Sequence, residues 1–279
     1  MFNGLDHVTL VVRDLDQACT HYTHLFGRPA AWRGEHPALG TEAALFTLAN
    51  TAIELLAPKS EAPESEGLRE QLQVHGEGIL SLTFGVDDAT RAHQELRARG
   101  LRVAPPEEGS ARGPDGAERV FRTLEVSRRA TRGISVFGVE RPDAAPLRRT
   151  EAVAGDCVDA LDHVATRTSN PDAAIALYQQ GFGIRLALDG NFGALRMLFF
   201  RTGGVTLEFV SDPSLGEEDK FYGLAFRVRD IEAAHARLSS HGFNLNAVRP
   251  GTKPGTHVFS VRSETHGVPT LIIRDPARD

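Results

Sequence analysis

Gly4-Leu5-Asp6-His7-Val8 returns in the second half of the chain as Ala160-Leu161-Asp162-His163-Val164. Each copy is followed by a short helical pattern and then by a strand-like run with one glutamate inside it. These runs are Ile53-Glu54-Leu55 and Leu207-Glu208-Phe209. His7 and Glu54 are 47 residues apart, His163 and Glu208 45. Self-similarity at a fixed spacing marks a repeated structural unit. Here the repeat also carries a His and a Glu, two metal-ligand residue types, to matching places.

A wider pattern occurs four times. Asp14, Asp88, Asn170 and Asp230 each precede a helical run, and those runs stop at Gly27, Gly100, Gly181 or Gly183, and Gly242. Asp and Asn side chains accept hydrogen bonds from the free amides of a first helical turn. Pro171 suits the first helical position, and glycine readily takes the left-handed conformation that ends a helix. β-rich runs precede each helix: Val8 to Val12, Leu80 to Val86, Val164 to Thr168 and Leu224 to Val228. Further strands follow at 44–48, 120–124, 197–200 and 258–261. Closing strands follow at 52–56, 134–139, 205–210 and 269–273. The reading is βαβββ, four times. Lys59 to Gly67 and Pro105 to Gly116 read as surface loops, being rich in Pro, Gly and polar residues.

Alternation along a strand sends successive side chains to opposite faces. His7 is therefore expected to share a face with Leu5, Thr9 and Val11, while Val8, Leu10 and Val12 pack under the helix. Glu54 shares a face with Ala52 and Leu56. His163 and Glu208 repeat the arrangement, so the ionisable residues lie on the face away from the helices, where a concave pocket can form.

With 279 residues, 41% of them hydrophobic and 24% charged, the chain can fill two ordinary cores. Its net charge of −6 argues against binding nucleic acid, which needs a basic face. No apolar run approaches the roughly 18 residues that span a bilayer, and no secretory signal pattern opens the chain. Cys19 and Cys157 are the only cysteines, giving neither a disulfide framework nor a zinc knuckle. A cytoplasmic location is expected.

On Leu5-Asp6-His7-Val8 with Asp14, Leu161-Asp162-His163-Val164 with Asn170, Glu54 and Glu208, the chain resembles the vicinal oxygen chelate superfamily. This superfamily includes glyoxalase, bleomycin-resistance and extradiol dioxygenase proteins. Phe84-Gly85-Val86-Asp87-Asp88 and Phe226-Arg227-Val228-Arg229-Asp230 resemble the first strand of the same repeat. The resemblance implies an α+β fold of four βαβββ units paired into two cup-shaped domains. The first covers residues 1–142 (units about 1–60 and 76–142). A Pro- and Ala-rich linker follows at 143–157, and the second domain covers 158–279 (units about 158–212 and 220–276).

The resemblance also implies a divalent ion (Zn, Ni, Mn or Fe) that chelates two neighbouring substrate oxygens. His7, Glu54, His163 and Glu208 are its candidate ligands, and Glu54 and Glu208 are candidate proton-transfer groups. Counting from the helix caps, the second unit offers Ser81 and Phe137 at the ligand positions, the fourth Gly223 and Leu271. Each consecutive pair of units then supplies only one His and one Glu. Alternatively, the first and third units could face each other and unite all four ligands. An extradiol dioxygenase would draw a His–His–carboxylate set from the last two units, where Gly223 and Leu271 provide none.

His36, in Gly34-Glu35-His36-Pro37, resembles a residue at the rim of such a cup, the alternative being a solvated loop histidine. Arg33, Arg196 and Tyr222 join it as candidate substrate-binding residues by position. His21, His24, His93, His235 and His241 fall in or beside helices and read as surface residues, and His266 as structural. Two functions from different classes follow. One is a metal-dependent lyase or isomerase acting on an oxygenated carbonyl substrate. The other is a metal-free protein that sequesters a small molecule, as bleomycin-resistance proteins do. Neither needs a nucleic acid or a membrane, and a homodimer is left open.

Overall fold

A computed structural model describes residues 1–59, 62–141 and 151–278. In the first half, β1 (Gly4–Val11), α1 (Leu15–Phe26), β2 (Trp32–His36), β3 (Thr41–Thr47) and β4 (Ala52–Pro58) form one unit. After α2 (Glu66–His75), β5 (Gly78–Gly85), α3 (Ala89–Ala98), β6 (Glu107–Arg112), β7 (Glu118–Val126) and β8 (Ser135–Glu140) form the next. The third unit is β9 (Ala160–Thr168), α4 (Pro171–Ile175), β10 (Arg185–Phe192), β11 (Leu195–Thr202) and β12 (Val205–Ser211). The fourth is β13 (Lys220–Arg227), α5 (Ile231–Ser240), β14 (Arg249–Pro250), β15 (His257–Val261) and β16 (Thr270–Arg274). These are the four βαβββ units of a two-domain α+β fold. Most of the linker read at 143–157 falls on residues 143–150, which lie outside the described residues, as do residues 60 and 61 of the loop read after Lys59.

The caps explain why the helices start where they do. Asp14, Asp88, Asn170 and Asp230 each accept a hydrogen bond from the third amide of their helix, at Gln17, Arg91, Ala173 and Ala233. Gly27 ends α1 with φ +75°, where an added Cβ would also meet the Cys157 sulfur at 2.5 Å. Leu15, Ala18, Cys19, Tyr22, Leu25 and Phe26 recur at helical spacing and bury one face of α1.

The first and second units pair through antiparallel β1 and β5, the third and fourth through β9 and β13. Consecutive units are therefore partners, and the arrangement of first unit against third does not occur. The first sheet closes into a barrel in the order β1-β4-β3-β2-β6-β7-β8-β5. Closure runs through the Glu35–Arg112 bridge between β2 and β6. The second remains an open sheet, β10-β11-β12-β9-β13-β16-β15-β14.

Two readings of the sequence need correction. Pro105 to Gly116 contains β6, a polar and largely exposed strand that no hydrophobic alternation announces. The polar stretch that begins at Lys59 leads into α2, which buries only Leu72 fully, so its apolar stripe is thin.

The two halves share one core. The Phe26 ring packs edge-on against Phe46 of its own half and against Phe226 of the other, at 5.3 and 5.0 Å. Asn50, in the β3–β4 turn, works as a polar staple between them. Its amide donates to the Leu161 and Gly204 carbonyls at 2.8 and 3.1 Å, and its oxygen accepts from the Leu161 amide at 3.1 Å. No helix among the described residues is long and apolar enough to cross a membrane. Truncating Asn50 strands buried backbone partners. Asn50→Ala is therefore expected to lower the unfolding free energy by about 2–4 kcal/mol, read as a lower denaturant midpoint at unchanged slope.

Candidate functional site

The first site residues are set by a bulge. Between Leu5 and His7 the register of β1 against β5 slips by one residue, leaving Asp6 unpaired. A bulge re-aims the side chains beside it. Leu5 consequently lies in the core with Val8 and Leu10, off the face it was expected to share with His7. Asp6 and His7 come together, Nδ1 of His7 lying 2.7 Å from Oδ1 of Asp6. The same slip recurs opposite Asp162 in β9, where Nδ1 of His163 lies 3.1 Å from Oδ1 of Asp162.

In the barrel, β1 and β4 run parallel with Thr9 beside Glu54. The Thr9 hydroxyl donates to Oε2 of Glu54 at 2.9 Å, and Nε2 of His7 stands 3.7 Å from the same oxygen. The meander β2-β3-β4 brings a third residue. Trp32 pairs with Leu45 and Leu45 with Glu54. Trp32 and, two residues further on each time, Gly34 and His36 thus line the face of Glu54. Nε2 of His36 lies 3.4 Å from Oε1 of Glu54, and its Nδ1 lies 3.4 Å from the Ser110 carbonyl. Phe121 meets the His36 ring edge-on at 6.1 Å. Over Phe121, at 5.8 Å, lies the Arg141 guanidinium, which also donates to Asp6 at 3.0 Å.

The electrostatics follow from this wall. Burial opposes ionisation of Glu54. The imidazoles of His36 and His7 and the Thr9 hydroxyl outweigh it and bring the carboxyl down to about 2. Burial also opposes the charge on Asp6, yet His7 and Arg141 hold that carboxyl well below the usual carboxylate range. Burial disfavours a charged His36, but its contact with Glu54 prevails and raises its pKa. Each imidazole has its Nδ1 against a fixed acceptor, Asp6 or Ser110, which leaves the two Nε2 atoms facing the two oxygens of Glu54. Tethering one ring nitrogen to a carboxylate or carbonyl is the usual support of a metal-binding histidine. As placed, no three His, Cys, Asp or Glu side chains among the described residues form a metal cage. The donor types of His7, His36 and Glu54 nevertheless suit a divalent ion.

The second cup keeps the framework and loses the donors. Strand pairing sets Ala165 beside Glu208 as Thr9 stands beside Glu54. Phe199 pairs with Glu208 and Leu188 with Phe199, which puts Phe192 at the position of His36. Counting from Phe137 and Leu271, which pair with Thr83 and Ala225, puts Asp275 at the position of Arg141. Glu208 is left with His163 as its nearby imidazole. Burial raises its pKa, with His163 opposing and Asp162 adding to the rise. The same pairings leave Ser81, Phe137, Gly223 and Leu271 at the ligand positions of the second and fourth units, as the sequence register indicated.

Of the residues singled out in the sequence, His7, His36 and Glu54 come together in the first cup. His163 and Glu208 share the second. Arg33 points the other way, its guanidinium 2.6 Å from Asp16 in α1. Arg196 likewise turns outward, to Asp189 and to Asp172 of α4. Tyr222 is 57% exposed and lines a groove between the halves with Val11, Glu77 and Gly267. Thr9, Asp6, Phe121, Ser110 and Arg141 were not singled out as site residues. Only Asp6 carried a signal, its recurrence before both histidines.

Comparison with known proteins agrees with this architecture. Over its full length the chain resembles a mutant of 4-hydroxymandelate synthase from Streptomyces coelicolor in fold. The TM-score is 0.70 at 18% identity, covering 98% of this chain and 93% of that one. A hypothetical protein from Staphylococcus aureus matches at TM-score 0.66 and 13% identity, over 97% of this chain and 99% of that one. In sequence, the chain is 32% identical over 103 residues to ethylmalonyl-CoA/methylmalonyl-CoA epimerase of Cereibacter sphaeroides, covering 37% of this chain and 75% of that protein. The glyoxalase-like domain family matches residues 5–182, and the glyoxalase/bleomycin resistance protein/dioxygenase superfamily residues 160–278. With a duplicated βαβββ fold, an Asp–His bulge in each half and these two matches, the chain belongs to the glyoxalase/bleomycin resistance/dioxygenase superfamily.

Proposed function

We propose that the first cup is the active site of a divalent-metal-dependent isomerase or lyase acting on a carbonyl compound with an acidic C–H bond. The observation that carries this reading is the convergence of His7 and His36, through Nε2, on the two oxygens of Glu54. When bound, a divalent ion supplies Lewis-acid polarisation of a substrate oxygen. His7, His36 and Glu54 would hold it, and Asp6 and the Ser110 carbonyl would fix the imidazoles in the ligating tautomer. A carboxyl near 2 is a weak base, which favours Glu54 as ligand over Glu54 as proton carrier. Trp32 and Phe121 wall the cup and reduce the access of water. The 32% identity to an acyl-CoA epimerase supports isomerase chemistry.

A second reading rests on the same donors. Two imidazoles and one carboxylate are also the set of non-haem iron(II) oxygenases. An oxygenase reading for the first cup is therefore an alternative, separated by metal identity and oxygen uptake. In the second cup, Phe192 and Ala165 replace donors, which supports a non-catalytic role there.

Protein purified without chelator is expected to carry about one equivalent of divalent metal by elemental analysis. His7→Ala and His36→Ala should abolish it, and His163→Ala should leave it unchanged. Asp6→Asn should weaken metal affinity by about 10- to 100-fold. The loaded protein should wash solvent deuterium into a 2-substituted malonyl thioester without consuming oxygen. Failure of zinc, nickel, manganese and iron(II) alike to bind would sink the metalloenzyme reading in favour of ligand sequestration. Glu54 gives a separate pH test on metal-free protein. Its folded pKa is depressed, so its stabilisation is present above 4.5 and is lost as pH falls from there through about 2. Glu54→Gln should flatten the acid limb of the stability curve within that window.

A further inference from the structure

The first cup has a second polar strip, on the far side of β1 from Glu54. On β5, Thr83 pairs with His7 and Ser81 with Thr9. Directly opposed residues of an antiparallel pair share a face, so both hydroxyls open into the cup beside His7 and Thr9. Each residue is only 4% exposed, and neither hydroxyl is hydrogen-bonded to another described residue. A buried hydroxyl without a partner is costly unless a ligand or a water meets it.

Arg141, one residue past β8, completes the strip. Its Nε donates to Oδ2 of Asp6 at 3.4 Å and its Nη2 to Oδ1 at 3.0 Å. Oδ1 is also the oxygen 2.7 Å from Nδ1 of His7, so a single carboxylate oxygen separates the guanidinium from the imidazole. The Phe121 ring supports the guanidinium from below. That ring lies so close to Gly109 that an added Cβ there would stand 2.6 Å from it. A guanidinium carries five N–H groups in a planar fork. Asp6 engages two of them, and the others meet no acceptor among the described residues. The remaining end, Nη1 with the second Nη2 proton, is the edge that grips a carboxylate through two parallel hydrogen bonds.

Charge points the same way. Asp6 and Glu54 bring two negative charges to this part of the cup, and Arg141 brings one positive. A divalent ion between neutral imidazoles shifts the sum to one net positive charge, which a single anionic group on the substrate balances. We infer that Arg141, with the Thr83 and Ser81 hydroxyls, forms the specificity site of the first cup and takes a substrate carboxylate. The inference rests on the active-site reading of that cup. It narrows the substrate to a carbonyl compound with one carboxylate close to its acidic C–H bond.

The second cup supplies an internal contrast. The same pairings put Ala225 beside His163 and Gly223 beside Ala165. Asp275 stands at the position of Arg141. The cation and both hydroxyls are lost together, and the charge at the first of these positions is reversed. The strip that suits an anion accompanies the His7–His36–Glu54 set and is absent where that set is incomplete.

Calorimetric titration of the full chain tests this with two probes of nearly equal shape. They are the N-acetylcysteamine thioester of methylmalonic acid and the methyl ester of that same thioester. The metal-loaded protein should bind the acid about 10- to 100-fold more tightly than the ester. Arg141→Gln should remove that preference by weakening the acid alone. Thr83→Val, which leaves Asp6 and Arg141 in place, should weaken the acid about 2- to 10-fold and spare the ester. Equal binding of acid and ester by the native chain overturns the inference, as does a preference that survives Arg141→Gln. Equal weakening of both probes by Arg141→Gln also overturns it, because the guanidinium then acts only by holding Asp6. Metal content is measured on every variant, and if Arg141→Gln releases metal, Thr83→Val decides. A native chain that takes up no metal sinks the isomerase reading alone. The preference for acid over ester, and its loss in Arg141→Gln, are then read on the metal-free protein and decide the carboxylate site separately.

Discussion

A carboxylate inside a closed barrel must be met by donors, and the first half of this protein is organised around meeting that demand at Glu54. Ionised and shielded from water, Glu54 would be a severe liability if left alone. The parallel pairing of β1 with β4 answers it with Thr9 and His7. The β2-β3-β4 meander answers it with His36. Those imidazoles need support in turn, from Asp6 and from a carbonyl on β6. Asp6 in turn draws Arg141 from the far end of β8. One buried charge thus recruits residues from both units of the barrel.

The second half shows what the same framework does without that demand being met. It repeats the bulge, the Asp–His contact and the buried glutamate. Ala165 and Phe192 stand where Thr9 and His36 keep Glu54 ionised, and burial raises the pKa of Glu208. The sheet also stays open, so its edge strand β10 is not joined to a counterpart of β6. The second half keeps the backbone geometry of the first while lacking the donors at the positions of Thr9 and His36. That is expected where the geometry is fixed by capping aspartates, glycines and core side chains that do not touch the cup.

Much of the fold was legible because it is locally encoded. Asp14, Asp88, Asn170 and Asp230 act within three residues of themselves, and the repeated Leu-Asp-His-Val marks each half by inspection. The site was legible only where the repeat carried it. His7 and Glu54 stood out, but their union with His36 depends on a three-strand register that no local pattern states. The contact of Arg141 with Asp6 spans 135 residues. Arg33 and Arg196 show the converse error. Both sit on the right strands, but with the parity that faces helices α1 and α4, where Asp16 and Asp172 hold them. The bulge at Asp6 is a further case, since simple alternation puts Leu5 on the wrong face.

Trp32 is the only tryptophan of the chain, and its ring lies 6.5 Å from that of His36 and under the Arg119 guanidinium at 5.3 Å. The red-edge ultraviolet emission of the whole protein therefore originates inside the first cup. Occupancy of that cup, by whatever species fills it, is coupled to a native optical signal, while events in the second half are silent at that wavelength.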